Sequence, residues 1–393
     1  MKIGTAILRQ RHFHRQIFSG RLAGRRIDTS LTRSLPSDKT QTITMRHPSF
    51  TASSRILTAI ASLTLLTLVG CGEKPATSAT PSSPAPAAGK PVVAMLPKLI
   101  NIDYFDACKR GAQKAADEIG VTLVFDGPTE PSGAEQNKFI DTWIRQKVSA
   151  ICIAPNQPKT IQRFVEKAQA VGIKVLTWDS DATESGRDLF VNQVDEKTLG
   201  ETLMDDLAKQ MGEEGEWAIA IASLDAANLN TWRRHAEARA KEKYPKLKLV
   251  ATEVTKEDEN FARQKVETLL NAYPNLKGII AFDSNSVPGA SEAVKRAGKV
   301  GKVAVTGNST PNKMRPYIKE GVLQSFYLWD PRALGGLTVR LAKHLVDGKP
   351  ITDGMDVPSH GKISLSKQDG KTVIMAEPVR FTKENIDKLD FGI

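Results

Sequence analysis

The chain has 393 residues with 55 Lys/Arg against 44 Asp/Glu, a formal net charge of +11. The excess is local: residues 1–71 hold 11 Lys/Arg and 2 Asp/Glu, which leaves 44 against 42, a net of +2, for residues 72–393. A near-neutral body removes composition as an argument for nucleic acid or an anionic membrane surface as partner.

Residues 1–44 carry nine Lys/Arg, only Asp28 and Asp38 as acids, and no apolar period. They read as a start codon assigned too early or as a leader that is removed. Residues 45–71 read as an export signal. After Arg55 come fifteen uncharged residues, the last three Leu68-Val69-Gly70, and then Cys71. That is the layout of a lipobox, in which the cysteine thiol receives a diacylglycerol. The apolar stretch is shorter than the ~20 residues a membrane span needs. An ordinary signal peptide with an incidental cysteine is the plain alternative. The lipobox predicts an extracytoplasmic protein tethered to a membrane through Cys71. Residues 72–90 are dominated by Pro, Ala, Ser and Thr and read as a disordered linker.

The remaining 303 residues, 91–393, suffice for two domains of about 150 each. Short apolar runs predict strands at 92–96, 122–125, 150–153, 174–177, 217–222, 247–254, 278–282, 303–306 and 324–328. Amphipathic periods predict helices at 107–119, 133–146, 160–171, 196–211, 231–244, 259–272, 288–297, 314–320 and 332–346. Runs such as AICIA and GIIAF are continuously apolar, as strands covered on both faces must be. The alternation predicts an α/β fold of parallel sheets with right-handed crossovers. Gly120 and Gly172 stop helices just before strands, and Pro245 and Pro274 follow helices in the same setting. Residues 354–393 break the rhythm and predict a small β excursion. Cys108 and Cys152 fall on a helix and a strand. They could pair outside the cell, though separate buried thiols fit their settings better.

Ligands of doubly wound sheets bind beyond the carboxyl ends of the strands. Those ends carry Lys98, Asp103, Tyr104 and Phe105; Asp179 and Asp181; Asn228, Asn230 and Trp232; Phe282, Asp283 and Ser284; Asn308; and Trp329. Carboxylates and amides pair with hydroxyls, and aromatic faces lie against the C–H face of a sugar ring. Each residue alone has a plainer reading. Asp225, Asp283 and Asn308 could be helix caps, Lys98 a surface lysine, and Trp232 and Trp329 core. The convergence of six strand ends on one chemistry is what points to a polyhydroxylated ligand. Asp179 and Asp181 could instead serve glycoside chemistry. No nucleophile elbow, phosphate loop or metal-ligand spacing accompanies them, so neither catalysis, a cofactor nor a metal is expected.

Residues 91–393 resemble the periplasmic sugar-binding proteins of ABC importers, in the ribose-binding-like class, and within it the autoinducer-2 and rhamnose receptor branch. The likeness is carried by PKLINIDYF at 97–105, FDGPTEPSGAEQ at 125–136, VLTWDSD at 175–181 and FVNQ at 190–193. It continues in STPNKMRPY at 309–317, LWDPRALGGLTV at 328–339 and FTKENIDKLDF at 381–391. The resemblance implies a monomeric two-lobed clamshell that captures a sugar and presents it to an ABC permease, or to a sensor. It implies hinge crossings near Asp188, Leu328 and Lys349. Lobe one is then 91–187 plus 329–349, and lobe two 188–328 plus 350–393. Lys98 and Asp179 match ligand-contacting positions of autoinducer-2 receptors, with Asp181 beside them, and Asp283 matches a pocket position. Those receptors have Asp-Gln where this chain has Asn228-Leu229, and Pro and Ala where it has Phe282 and Ser284. The rewritten half implies a pentose, deoxyhexose or similar monosaccharide before autoinducer-2.

Overall fold

Strands and helices alternate along residues 89–389 and 391, which are the residues described by a computed structural model. The expected leader, the signal with Cys71, and the linker up to residue 88 lie outside the described residues. The first five strands are β1 Val92–Leu96, β2 Thr122–Phe125, β3 Ala150–Ile153, β4 Lys174–Trp178 and β5 Leu189–Val194. Between them lie α1 Asp103–Ile119, α2 Gly133–Arg145 and α3 Gln162–Ala170. Then follow α4 Glu196–Met211, β6 Gly215–Ile221, α5 Ala227–Lys243, β7 Leu247–Val254, α6 Glu259–Ala272 and β8 Leu276–Ala281. After these come α7 Ser286–Arg296, β9 Ala304–Gly307, α8 Pro311–Lys319, β10 Phe326–Leu328 and α9 Pro331–Val346. The tail holds β11 Asp356–Val357, β12 Gly361–Lys362, β13 Ser364–Leu365, β14 Thr372–Ala376 and β15 Val379–Phe381.

These form two main sheets. The first has order β13-β14-β5-β4-β3-β1-β2 and is parallel except for β13; the second is parallel with order β7-β6-β8-β9. In each, the strand order reverses beside the first strand of the unit, which opens a crevice at the carboxyl ends. Side chains alternate across β1. Val93 and Met95 join the core under α1 and α9, whereas Ala94 and Leu96 join a separate core under α2 and α3. The second sheet is covered by two helix pairs, α4 with α5 and α6 with α7.

Two boundaries differ from expectation. Residues 189–194 were assigned to the second lobe, but β5 pairs with β4 inside the first sheet. Asp188 fixes that register: its amide donates to the Val175 carbonyl and its carboxylate accepts from the Val175 amide, both at 2.7 Å. The tail is divided too, because β14 pairs with β5 whereas β15 pairs with β10. The chain therefore leaves the first sheet after Val194, returns through α9 after Leu328, and leaves again after Ala376. The crossings expected near Asp188 and Lys349 lie at these later points instead.

Two helices at the site begin four residues before their sequence signals. α1 starts at Asp103 and α5 at Ala227, behind N-caps Ile102 and Ala226 that offer no side-chain oxygen to the first amides. Without a Ser, Thr or Asp cap, the start is invisible in sequence. Cys108 and Cys152 are buried free thiols.

α9 docks on α1 with almost no intervening side chain. A Cβ at Gly335 would lie 2.0 Å from the Cys108 carbonyl oxygen, and one at Gly111 would lie 1.9 Å from that of Arg332. Here glycine is needed for space, and both obstacles are backbone. Gly335→Ala is therefore expected to force the helices apart and cost about 1–3 kcal/mol. A thermal melt checks this, and an unchanged melting temperature would contradict the close approach.

Candidate ligand-binding site

The carboxyl ends of both sheets meet around one small cavity. It is lined by Lys98, Tyr104, Phe105 and Asp179 from the first sheet's unit. The second contributes Asn228, Leu229, Trp232, Glu257, Asp283, Ser284 and Asn308, and Trp329 follows β10. Its free volume is about 30 Å³, room for a few waters at most. A sugar ring therefore enters only if the two sheets part.

The first-sheet wall centres on an ion pair. Lys98 Nζ lies 3.0 Å from Asp179 Oδ2, with side chains only 6% and 5% exposed. Lys98 is placed by buried Gln136, whose amide donates to the carbonyls of Pro97 (3.0 Å) and Ala154 (2.8 Å). Asn156 donates to the Lys98 carbonyl at 2.9 Å. Asp179 sits at φ +61, a left-handed conformation that turns the chain sharply after β4. Tyr104 Oη donates to Asp179 Oδ1 at 2.8 Å and accepts from Trp329 Nε1 at 2.9 Å. Burial first, and then the Asp179 charge, push the Tyr104 hydroxyl well above its ordinary pKa, so it remains a donor.

Asn228 ties the two walls together. Its Oδ1 accepts from Lys98 Nζ at 2.9 Å, and its Nδ2 donates to the Asp179 carbonyl at 3.0 Å. Asp283 accepts from the amides of Asn285 (3.1 Å) and Ser286 (2.8 Å) and from the hydroxyls of Thr255 and Ser286. Burial raises the pKa of Asp283 against the pull of those bonds. Glu257 is raised as well, by burial and then by the Asp283 charge, with Lys98 opposing. Trp232 and Trp329 meet edge to face at 5.8 Å. Trp232 Nε1 and Asn308 Oδ1 are buried with no hydrogen-bond partner.

Ten of the fourteen strand-end candidates thus come together: Lys98, Tyr104, Phe105, Asp179, Asn228, Trp232, Asp283, Ser284, Asn308 and Trp329. Four do not. Asp103 opens α1 and faces an outer cleft, 3.8 Å from Lys313. Asn230 lies on the first turns of α5 and bonds back to the carbonyls of Ser223 and Ala226. Helical periodicity explains both, since only part of each first turn can face the cavity. Phe282 is fully buried in the core; it follows β8 one residue before Asp283 and so points the other way. Asp181 makes a two-pronged pair with Arg187, both contacts at 2.8 Å, and accepts from Thr177 and Thr183. Burial favours its neutral form, but the Arg187 bonds and charge outweigh it and hold the carboxyl below its ordinary pKa.

Glu257 and Leu229 line the cavity without having been selected from sequence. The end of β7 carries Glu257, and the strand-end rule applied to that strand would have found it. Leu229 follows Asn228 on a helix turn that was read as loop.

Asp181 also acts on Glu196, the first residue of α4 and of the second unit. Burial first, then the charges of Asp181 and Asp195, raise Glu196 to about 7. An acid whose folded pKa is raised binds more protons folded than unfolded, so stability falls as pH rises between the two values. The melting temperature is expected to drop from about pH 4.5 to about pH 7 through this group. Glu196→Gln should reduce that drop; identical pH profiles for parent and variant would refute the assignment.

Residues 93–350 match the family described as periplasmic binding protein domain. The ribose import binding protein of Bacillus subtilis is 25% identical over 311 residues, spanning 77% of this chain and 97% of that protein. Among solved structures, LsrB of Clostridium saccharobutylicum in complex with AI-2 aligns with TM-score 0.72 at 26% identity, covering 76% of this chain and 99% of that one. An ABC transporter solute-binding protein of Clostridium phytofermentas with bound L-rhamnose gives 0.73 at 27%, covering 78% and 100%. With its match spanning well over half of the chain and its two-sheet architecture shared, this chain belongs to the periplasmic binding protein family.

Proposed function

We propose that this chain captures a neutral monosaccharide between two lobes and delivers it to an ABC permease, while held to a membrane by lipid on Cys71. The carrying observation is a cavity built half from each sheet and stitched across by the Lys98–Asn228–Asp179 bonds. Lobe one comprises β1–β5 with α1–α3, α9, β13 and β14; lobe two comprises α4 through β10, with β15. The open form presents Lys98, Tyr104 and Asp179. Closure then brings Asn228, Glu257, Asp283, Ser284 and Asn308 onto the ring, with Trp232 and Trp329 against its C–H face. Water leaves as the lobes close, which strengthens each polar contact. The relatives named above are binding proteins of transporters, and this chain is read likewise as a binding protein, not an enzyme. Its address is extracytoplasmic, its working state a monomer. Presentation to a membrane sensor is the alternative use of the same binding step. AI-2 is the second ligand reading, favoured by the retained Lys98 and Asp179 and by the likeness to LsrB.

Thermal shift of the full-length chain against L-rhamnose, D-ribose, D-arabinose, D-allose and AI-2 is expected to single out a monosaccharide. A thousandfold excess over the dissociation constant stabilises by about 4 kcal/mol. Asp179→Asn should weaken that ligand by at least about tenfold, because Lys98 and Tyr104 are left facing a neutral amide. Equal affinity would remove Asp179 from the site, and a shift with AI-2 alone would reverse the ligand order. Cys71→Ser is expected to move the protein from the membrane fraction to the soluble one; retention in the membrane would refute the lipid anchor.

A further inference from the structure

The outer flank of the α1–α9 pair holds a groove that shares no lining residue with the inter-sheet cavity. Its volume is about 500 Å³, within the range of roughly 300–1,000 Å³ that small-molecule sites occupy. Helical spacing builds it. Arg110 and Lys114 stand one turn apart on α1, with Gly111 and Ala115 beside them; Arg332, Gly336 and Arg340 follow at the same spacing on α9. Between them the helices nearly touch: a Cβ at Gly336 would lie 3.3 Å from the Gly111 carbonyl oxygen. Small residues thus form the floor and cations the walls. The turn between β11 and β12 adds Ser359 and His360.

Donors dominate this lining. Asp330 is its one acid, and it is engaged: it accepts from the Arg332 amide at 2.9 Å and twice from the Arg332 guanidinium at 3.0 Å. Just beyond the groove, Glu118 accepts from Lys114 at 2.9 Å and from Arg340. Asp106 lies one turn before Arg110 on α1. Four cations therefore meet three acids, only one of which lines the groove. Burial lowers the pKa of His360, which leaves a neutral ring with one N–H to offer.

Arg340 is the group that asks for a ligand. Its side chain is only 9% exposed, yet among the described residues Glu118 bonds just one of its nitrogens. A guanidinium carries five N–H donors in a rigid planar fork and is always charged. Carboxylates and phosphates are acceptors that engage two such donors at once and offset the remaining charge. A cation would be repelled, and a neutral hydroxyl compound brings no charge to balance the walls.

We propose that the α1–α9 groove is a second binding site, which takes a small organic anion bearing a carboxylate or a phosphate. It is independent of the sugar reading, since no residue is common to the two cavities.

The test is calorimetry of the full-length chain at fixed ionic strength, with citrate and glycerol 3-phosphate as probes and glycerol as the uncharged match. At least one of the two anions is expected to bind saturably at a single site, and glycerol is expected not to bind. Arg340→Gln should weaken that anion about tenfold or more, and Lys114→Glu about threefold or more. Lys114 is 73% exposed, so its variant serves if the first does not fold. Lys302→Glu makes the same charge change at an exposed lysine outside the groove and should leave the affinity as it was. Binding that neither groove variant weakens overturns the proposal, as does binding that Lys302→Glu weakens as much as Lys114→Glu does. A parent that binds neither anion saturably, or that binds glycerol as tightly, overturns it too.

Discussion

The buried ion pair of Lys98 and Asp179 is the constraint around which this molecule is arranged. Removing two charges from water is costly, and their attraction compensates only when geometry is tight and the remaining hydrogen-bonding capacity is met. Each neighbour supplies part of that condition. Gln136 and Asn156 pin the loop that carries Lys98. Tyr104 occupies the second oxygen of Asp179, and Asn228 Oδ1 accepts a hydrogen bond from the ammonium across the cleft. The pair belongs to one sheet, yet its hydrogen bonding is completed by the other. That dependence gives the two sheets a reason to meet.

Trp329 joins this centre to the place where the chain passes between sheets. It lies between β10 and α9, and its indole donates to Tyr104 on α1. α1 and α9 touch backbone to backbone at Gly111 and Gly335. A displacement of Tyr104 is thus transmitted to α9, whose amino end is one of the crossings. On the opposite side, buried Asp206 of α4 accepts from Thr306, Ser325 and Arg380 and fixes β15 to the second unit. The two units are held at fixed points, with the cavity between them.

Much of this was legible in the residues. The alternation of continuous apolar runs with amphipathic stretches marked nearly every strand and helix of both sheets. The strand-end rule brought Lys98, Asp179 and Asp283 to one place before any contact was known. The failures have physical causes. α1 and α5 begin behind Ile102 and Ala226, which carry no capping oxygen, so Asp103 and Asn230 were read as loop residues free to face a ligand. Asp181 has the right type and position, but Arg187, six residues on, claims it. β5 was passed over because Asn192 and Gln193 interrupt its apolar run. Its omission displaced the first crossing. Glu257 depends on a pair of left-handed residues, and Lys and Glu do not advertise that conformation as glycine would.

The dispersed origin of the first sheet has a consequence for how the molecule is made. Its central strands come from residues 92–194, but the helix that covers one face comes from 331–346 and the strand beyond β5 from 372–376. A chain delivered from its amino end holds the second unit complete up to β10 before the first can be finished. Contacts this distant in sequence carry a large loop-closure cost and slow folding. The nascent chain therefore waits, with one flank of its leading sheet uncovered, until residues 331–376 have been delivered.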